Sequence, residues 1–231
     1  MIPLRDENPR RTAPVVNVIL IIINVLMFLW EVSLGPNLER ALFQVAFIPA
    51  RFWQGYIGPE VIRIFVSMFL HGGLLHLGGN MLYLWIFGDN IEDRLGHFKY
   101  LLFYLACGFA ATFAHAFVNP SSGLPSIGAS GAIAGVLGAY LILFPHARVL
   151  TIIPIVFFIT VREVPAILVL GLWFVIQFFT GVGSLGAVGA ESGGVAYFAH
   201  IGGFVSGIVL ILLLGGKRRP PQRPVIYDGW R

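Results

Sequence analysis

Six apolar runs punctuate the chain, at about residues 15–34, 72–90, 98–118, 127–144, 163–181 and 196–214. Each approaches the roughly 20 residues that an α-helix needs to cross a bilayer. The second and fourth are rich in glycine. The stretch Val149–Ile159 is also apolar, but Pro145, Pro154 and Pro165 bracket or interrupt it, which predicts a short interfacial or extended connection ahead of the fifth run. Between the first two runs, Gly35–Val66 mixes polar residues with Phe43, Phe47, Phe52, Trp53 and Tyr56. Aromatics at that density suit an amphipathic element lying in the interface; the plainer use is an anchoring belt. A polar leader precedes the first run, and no small-residue cleavage site follows it, so the run reads as a retained span.

Composition agrees with this pattern. The 231 residues are 57% hydrophobic and only 11% charged, against about 25% charged in soluble chains. The 28 glycines and 14 prolines exclude a simple coiled coil. Six spans would use roughly 120 positions, leaving no room for a second globular unit. The expected architecture is therefore all-α and polytopic, with a leader at 1–14, a six-span domain at 15–216 and a basic tail at 217–231. The single cysteine, Cys107, excludes an intrachain disulfide and any multi-cysteine metal site; a buried thiol is its expected state.

Charge then supplies an orientation. The net +4 matters less than its distribution. Twelve of the 15 basic residues fall in the leader (Arg5, Arg10, Arg11), after the second run (Arg94, Lys99), after the fourth (Arg148, Arg162), and in the tail (Lys217, Arg218, Arg219, Arg223, Arg231). Only Arg40, Arg51 and Arg63 fall on the other side. Basic residues stay cytoplasmic, so both termini are expected there, with the tail as a disordered topology anchor. Lipid is the expected surrounding, and no nucleic-acid partner is expected; the sequence specifies no oligomeric state. Short tails suit a prokaryotic cell membrane.

Polar residues inside a membrane are costly and mark function by default. His71, His76 and Asn80 open the second run in HGGLLHLGGN, Ser130 opens the fourth in GASGAIAG, and His200 opens the sixth in AHIGGFVSG. In the orientation above, all three runs go from outside to inside, so these groups share one depth near the outer face. His76 and Asn80, four residues apart, project from one helix face. Gly128, Gly131, Gly135 and Gly138 thin out the surroundings of Ser130, and Gly203 and Gly207 follow His200. Such small faces let membrane helices approach closely, and a hydroxyl must lie about 2.6–3.2 Å from its base to serve as nucleophile.

Each element also has a plain use, as packing seam, intrahelical hydrogen bond or interhelical partner. Their conjunction at one depth favours chemistry. His97, His115 and His146 lie near run ends, where an amphipathic ring is at home. No HExxH zinc motif occurs, and Asp89 and Asp93 flank the inner end of the second run rather than forming a mid-membrane pair. Glu92 and Arg94 read as an interface lock. No metal or cofactor is expected.

The segments HGGLLHLGGNMLYLWIFGDNIEDRLG, GASG and AHIGGFVSG, in this order over roughly 60–216, resemble the rhomboid intramembrane serine proteases. The resemblance implies a six-helix rhomboid-like bundle with Ser130 as nucleophile and His200 as general base, without a carboxylate third member. It further implies an oxyanion site from His76, Asn80 and the Ser130 N–H, shaped by Gly128. The implied reaction is peptide-bond hydrolysis in single-span membrane substrates near the outer face, with the fifth span and the loop at 182–195 as candidate gates. Arg63 matches an outer-loop position of the family. Two positions depart from its pattern: Ile62 stands where Trp is common, and Ala134 where many members place an aromatic that packs on the base. Two other classes predict different features. A rhomboid-like pseudoprotease would lack the nucleophile or the base. A small transporter would show internal repeats and broken midplane helices.

Overall fold

The computed structural model describes residues 1–155, 158–184 and 196–215. Nine α-helices and three strands follow one another among these residues. Helix α1 (Val15–Ser33) coincides with the first apolar run, α5 (Leu74–Leu95) with the second and α6 (His97–Val118) with the third. Helix α7 (Ser130–Leu143) corresponds to the fourth, α8 (Ala166–Ser184) to the fifth and α9 (Tyr197–Leu213) to the sixth. The chain is thus a mostly helical membrane protein. By length and apolarity alone α1, α6 and α8 suffice to cross a bilayer, while α7 and α9 are shorter apolar helices. Helix form is forced on such segments, because lipid offers backbone groups no other partner.

The core is organised around α7. Every residue from Gly131 to Tyr140 is buried, with α5, α6, α8 and α9 packed around it. A helix enclosed on all sides can have apolar residues all round, which is what GAIAGVLGAY provides. Cys107 is wholly buried against it: a Cβ on Gly135 would collide with the Cys107 side chain.

The segment between α1 and α5 is not a free linker. A 3₁₀ turn at Gly35–Asn37 is followed by α2 (Leu38–Val45), α3 (Pro49–Trp53) and α4 (Ile57–Ser67). Its aromatics form a packed group in which Phe52 meets Phe47, Trp53 and Phe113 at ring-centroid distances of 6.0, 5.2 and 5.9 Å. The amphipathic expectation for this stretch therefore takes the form of short helices seated on α6.

At the opposite end of the bundle a three-stranded antiparallel sheet adds to the helical plan. Strand β1 (Ile2–Asp6) pairs with β2 (Arg148–Ile155), which pairs with β3 (Phe158–Pro165). The extended connection expected around 149–159 thus falls on β2 and the start of β3, and the polar leader supplies the third strand. Pro154 lies beyond the reach of β1, which pairs only with 149–152. There β2 has a neighbour on one side only, and the missing proline N–H costs nothing.

Glu92 secures this end. Its carboxylate accepts the Val16 and Asn17 N–H groups at 2.9 and 2.7 Å and meets His97 Nδ1 at 2.5 Å. It thereby supplies acceptors to N–H groups in the first turn of α1, which have no partner within the helix. Asp93 accepts Thr12 N–H at 2.8 Å, and Arg10 pairs with Asp89 at 3.1 Å. The expected tail at 217–231 and most of the loop at 182–195 lie outside the described residues.

Candidate active site

Among the described residues, α7 and α9 pack with their backbones in close approach. A Cβ on Gly203 would run into the Gly131 carbonyl, one on Gly207 into the Gly135 carbonyl, and one on Gly138 into the Phe204 carbonyl. Backbone meets backbone along this seam, at positions where no side chain larger than hydrogen fits. Ser130 begins α7 and His200 lies in the first turn of α9. With the seam closed, Ser130 Oγ and His200 Nε2 stand 2.8 Å apart.

The imidazole is held from a third helix. His200 Nδ1 lies 2.7 Å from Gln177 Oε1, and the Trp173 ring covers it at a centroid distance of 5.7 Å and an interplanar angle of 37°. Both residues belong to α8, four positions apart and therefore on one face. Trp173 supplies the aromatic contact that Ala134, wholly buried in α7, does not. Sequence reasoning passed over both residues. The available signal was Gln177 itself, a polar amide inside the fifth apolar run, where every polar group invites a question.

Opposite the dyad lies a group of donors. Gly128 has φ +130°, a conformation open to glycine and strained for other residues. Any Cβ there would stand 3.0 Å from His76 Nε2 and 3.5 Å from Ser130 Oγ, filling the gap between them. The Gly72 N–H donates to His76 Nδ1 at 3.4 Å. That leaves Nε2 as the protonated nitrogen facing the gap. Asn80 is buried, and its side-chain nitrogen has no hydrogen-bond partner among the described residues. The N–H of Ser130 opens a helix, where backbone donors lack intrahelical partners and the dipole favours negative charge. A small cavity beside Ser130 is bordered by Met68, Gly108, Thr112, Ser126 and Ala199.

Several supports come from far along the chain. Ser67 is the hub on the α4 side: its Oγ accepts Phe47 N–H at 2.7 Å, and its carbonyl accepts Gly128 N–H at 2.9 Å. Ser126 N–H donates to the Phe47 carbonyl at 2.8 Å. The loop before Ser130 is thus stitched to the short helices. Glu60 is fully buried, accepts Ile48 N–H at 2.9 Å and pairs with Arg63, which places Arg63 in the scaffold rather than at the dyad. Ile62, which departs from the family pattern beside it, is exposed. On α1, the buried Glu31 accepts His71 N–H through both oxygens, at 2.9 and 3.2 Å. His71 itself packs edge-on against His76 at 5.1 Å, with neither ring nitrogen hydrogen-bonded among the described residues. Among the described residues no three His, Cys, Asp or Glu side chains gather as a metal site.

A family model described as the Rhomboid domain matches residues 58–217. The chain is similar to Rhomboid protein 1, mitochondrial, of Saccharomyces cerevisiae, with 32% identity over 81% of this chain and 49% of that protein. It is similar to RHOMBOID-like protein 4 of Arabidopsis thaliana, with 34% identity over 74% of this chain and 42% of the relative. Against Rhomboid protease GluP of Bacillus subtilis it shows 35% identity over 60% of this chain and 28% of that protein. The chain thus spans half or less of the length of these relatives.

Proposed function

This chain belongs to the rhomboid family, and we propose that it is an intramembrane serine endopeptidase acting on single-span membrane proteins through Ser130 and His200. The observation that carries this reading is the 2.8 Å contact between Ser130 Oγ and His200 Nε2 at the start of a helix. In the proposed reaction Ser130 Oγ attacks a substrate carbonyl carbon while its proton passes to His200 Nε2. The carbonyl oxygen, now negative, occupies the gap bounded by Gly128, where the His76 Nε2–H, the Asn80 amide and the Ser130 N–H can donate to it. Collapse breaks the peptide C–N bond, and the amine leaves with the proton from His200. Water, deprotonated by the same imidazole, then releases the carboxylic acid and restores the serine.

The placement of charge supports a six-span topology with both termini cytoplasmic and the dyad near the outer face. A substrate helix must unwind there, since its carbonyls are otherwise occupied in the helix. Single-cysteine labelling in intact cells tests the topology: Gly35→Cys should react with an impermeant maleimide, and Arg148→Cys should not. Residence in a prokaryotic cell membrane is part of the same reading. The Saccharomyces cerevisiae relative carries a mitochondrial name, and fractionation of the source cells separates the two locations.

The decisive assay uses purified protein in liposomes with a single-span substrate. Cleavage should vanish in Ser130→Ala and in His200→Ala, and a fluorophosphonate should label the wild type on Ser130. Cleavage that survives in Ser130→Ala overturns the proposal.

A further inference from the structure

We infer that Gln177 is a positioning residue for the base: it sets which nitrogen of His200 carries the proton and makes α8 part of the catalytic unit. The inference rests on the Ser130–His200 reading above. To accept the serine proton, His200 must present an unprotonated Nε2 to Ser130 Oγ, 2.8 Å away. A neutral imidazole carries one proton, which must then sit on Nδ1. The atom facing Nδ1 is Gln177 Oε1, at 2.7 Å. An amide oxygen can only accept, so this contact is satisfied by the Nδ1–H tautomer alone. The other tautomer would set two acceptors face to face and turn the Nε2 lone pair into a donor. The bond at one ring nitrogen thus decides the chemistry at the other.

The same contact persists through the reaction. When Nε2 takes the serine proton, the imidazolium still donates Nδ1–H to the amide. When Nε2 gives that proton to the leaving amine, the starting tautomer returns, and Gln177 is unchanged throughout. A carboxylate could do the same work, but in this apolar surrounding a lone charge is expensive. A neutral amide orients the ring without adding one.

Apart from the Ser130 contact, the ring is held from α8 among the described residues. Trp173, one turn from Gln177, lies over the imidazole, and no residue of α5 or α7 other than Ser130 bonds the His200 side chain among the described residues. The outward face of α8, including Leu172, Ile176 and Phe179, is exposed to the surroundings of the bundle. A helix with one face toward lipid and the other on the base couples the two. Withdrawal of α8 from α9 removes both the tautomer-setting acceptor and the ring cover.

The test compares three variants with the wild type in the liposome assay. Gln177→Leu keeps the bulk and loses the acceptor, so kcat should fall by roughly 5- to 100-fold, the range for stranding a buried donor, with KM little changed. Gln177→Glu keeps an acceptor oxygen and should restore most of kcat. Gln177→Lys offers only donors and should be at least as impaired as the leucine variant. Fluorophosphonate labelling of Ser130 should slow in the same order, since it needs the activated hydroxyl and no substrate helix. Wild-type kcat in Gln177→Leu overturns the inference, and so does equal impairment of the Leu and Glu variants, which would mark a packing role. If cleavage survives in Ser130→Ala, the protease reading itself falls; if it vanishes there while Gln177→Leu turns over normally, only the role of Gln177 is lost.

Discussion

A single Cβ separates Gly128 from any other residue, and its position explains what that glycine does. The φ of +130° costs a non-glycine residue about 1–3 kcal/mol, and the added methyl would stand 3.0 Å from the His76 ring. Under the proposed mechanism Gly128→Ala should lower kcat by at least about tenfold, because the methyl takes up the room proposed for the oxyanion. Steady-state cleavage in liposomes measures it. Asn80 offers a complementary case, a buried amide nitrogen with no partner among the described residues. Its removal in Asn80→Ala should cost about 2.7–4 kcal/mol of transition-state stabilisation, or a 10²- to 10³-fold loss in kcat. Because the orphaned donor is removed rather than stranded, thermal stability should be maintained or slightly raised. Loss of stability without loss of kcat would return Asn80 to a packing role.

Among the elements, the α7–α9 seam does most to assemble the site. Gly203 and Gly207 let two backbones touch, and that contact sets the distance from Ser130 to His200. Gly207→Ala lies two turns from the dyad and touches none of its residues, yet its methyl must displace the Gly135 carbonyl. Overpacking of this kind typically costs about 1–3 kcal/mol. Both the melting temperature in detergent and the rate of fluorophosphonate labelling should fall, because the seam is the hinge of the dyad geometry. Preserved labelling in a destabilised variant would show that the dyad is set elsewhere. The helices α2 to α4 act similarly at one remove, since Ser67 ties the turn at Gly128 to α4.

At the scale of the whole molecule, the sheet binds the N-terminal residues to the end of the bundle remote from the dyad. Asp6 is the clasp: Tyr140 donates its hydroxyl proton to Asp6 Oδ2 at 2.5 Å, and Asn90 donates to the same oxygen at 3.1 Å. Burial pushes the Asp6 carboxyl up from 3.8 to about 6, the Tyr140 hydrogen bond opposes this, and the neighbouring Asp89 adds to it. A carboxyl that holds its proton more tightly when docked favours the docked state below about pH 4 and loses that advantage as the pH rises through about 6. Strand β1 should accordingly exchange its amide hydrogens faster at pH 7.5 than at pH 5, after correction for intrinsic rates. Asp6→Asn, which cannot ionise, should remove the difference. An unchanged pH effect in that variant would place its origin elsewhere.

The helices that fall on the apolar runs and the order of HGGLLHLGGN, GASG and AHIGGFVSG were legible along the chain, because helix formation and the pairing of His76 with Asn80 depend on near neighbours. The glycines that permit the α7–α9 contact could be read in the same way, since the spacing of small residues is local too. What the sequence could not disclose are partnerships across long separations: Gln177 with His200 over 23 residues, Glu31 with His71 over 40, and Asp6 with Tyr140 over 134. Strand β1 belongs to this group, for five residues with little alternation become a strand only against β2. Sequence alone determined which helices exist and which of them carry a hydroxyl, an imidazole or an amide. Only the tertiary structure decided which of these groups meet, because a polar side chain in a membrane takes its role from the partner that packing brings to it, and that packing is the work of the whole bundle.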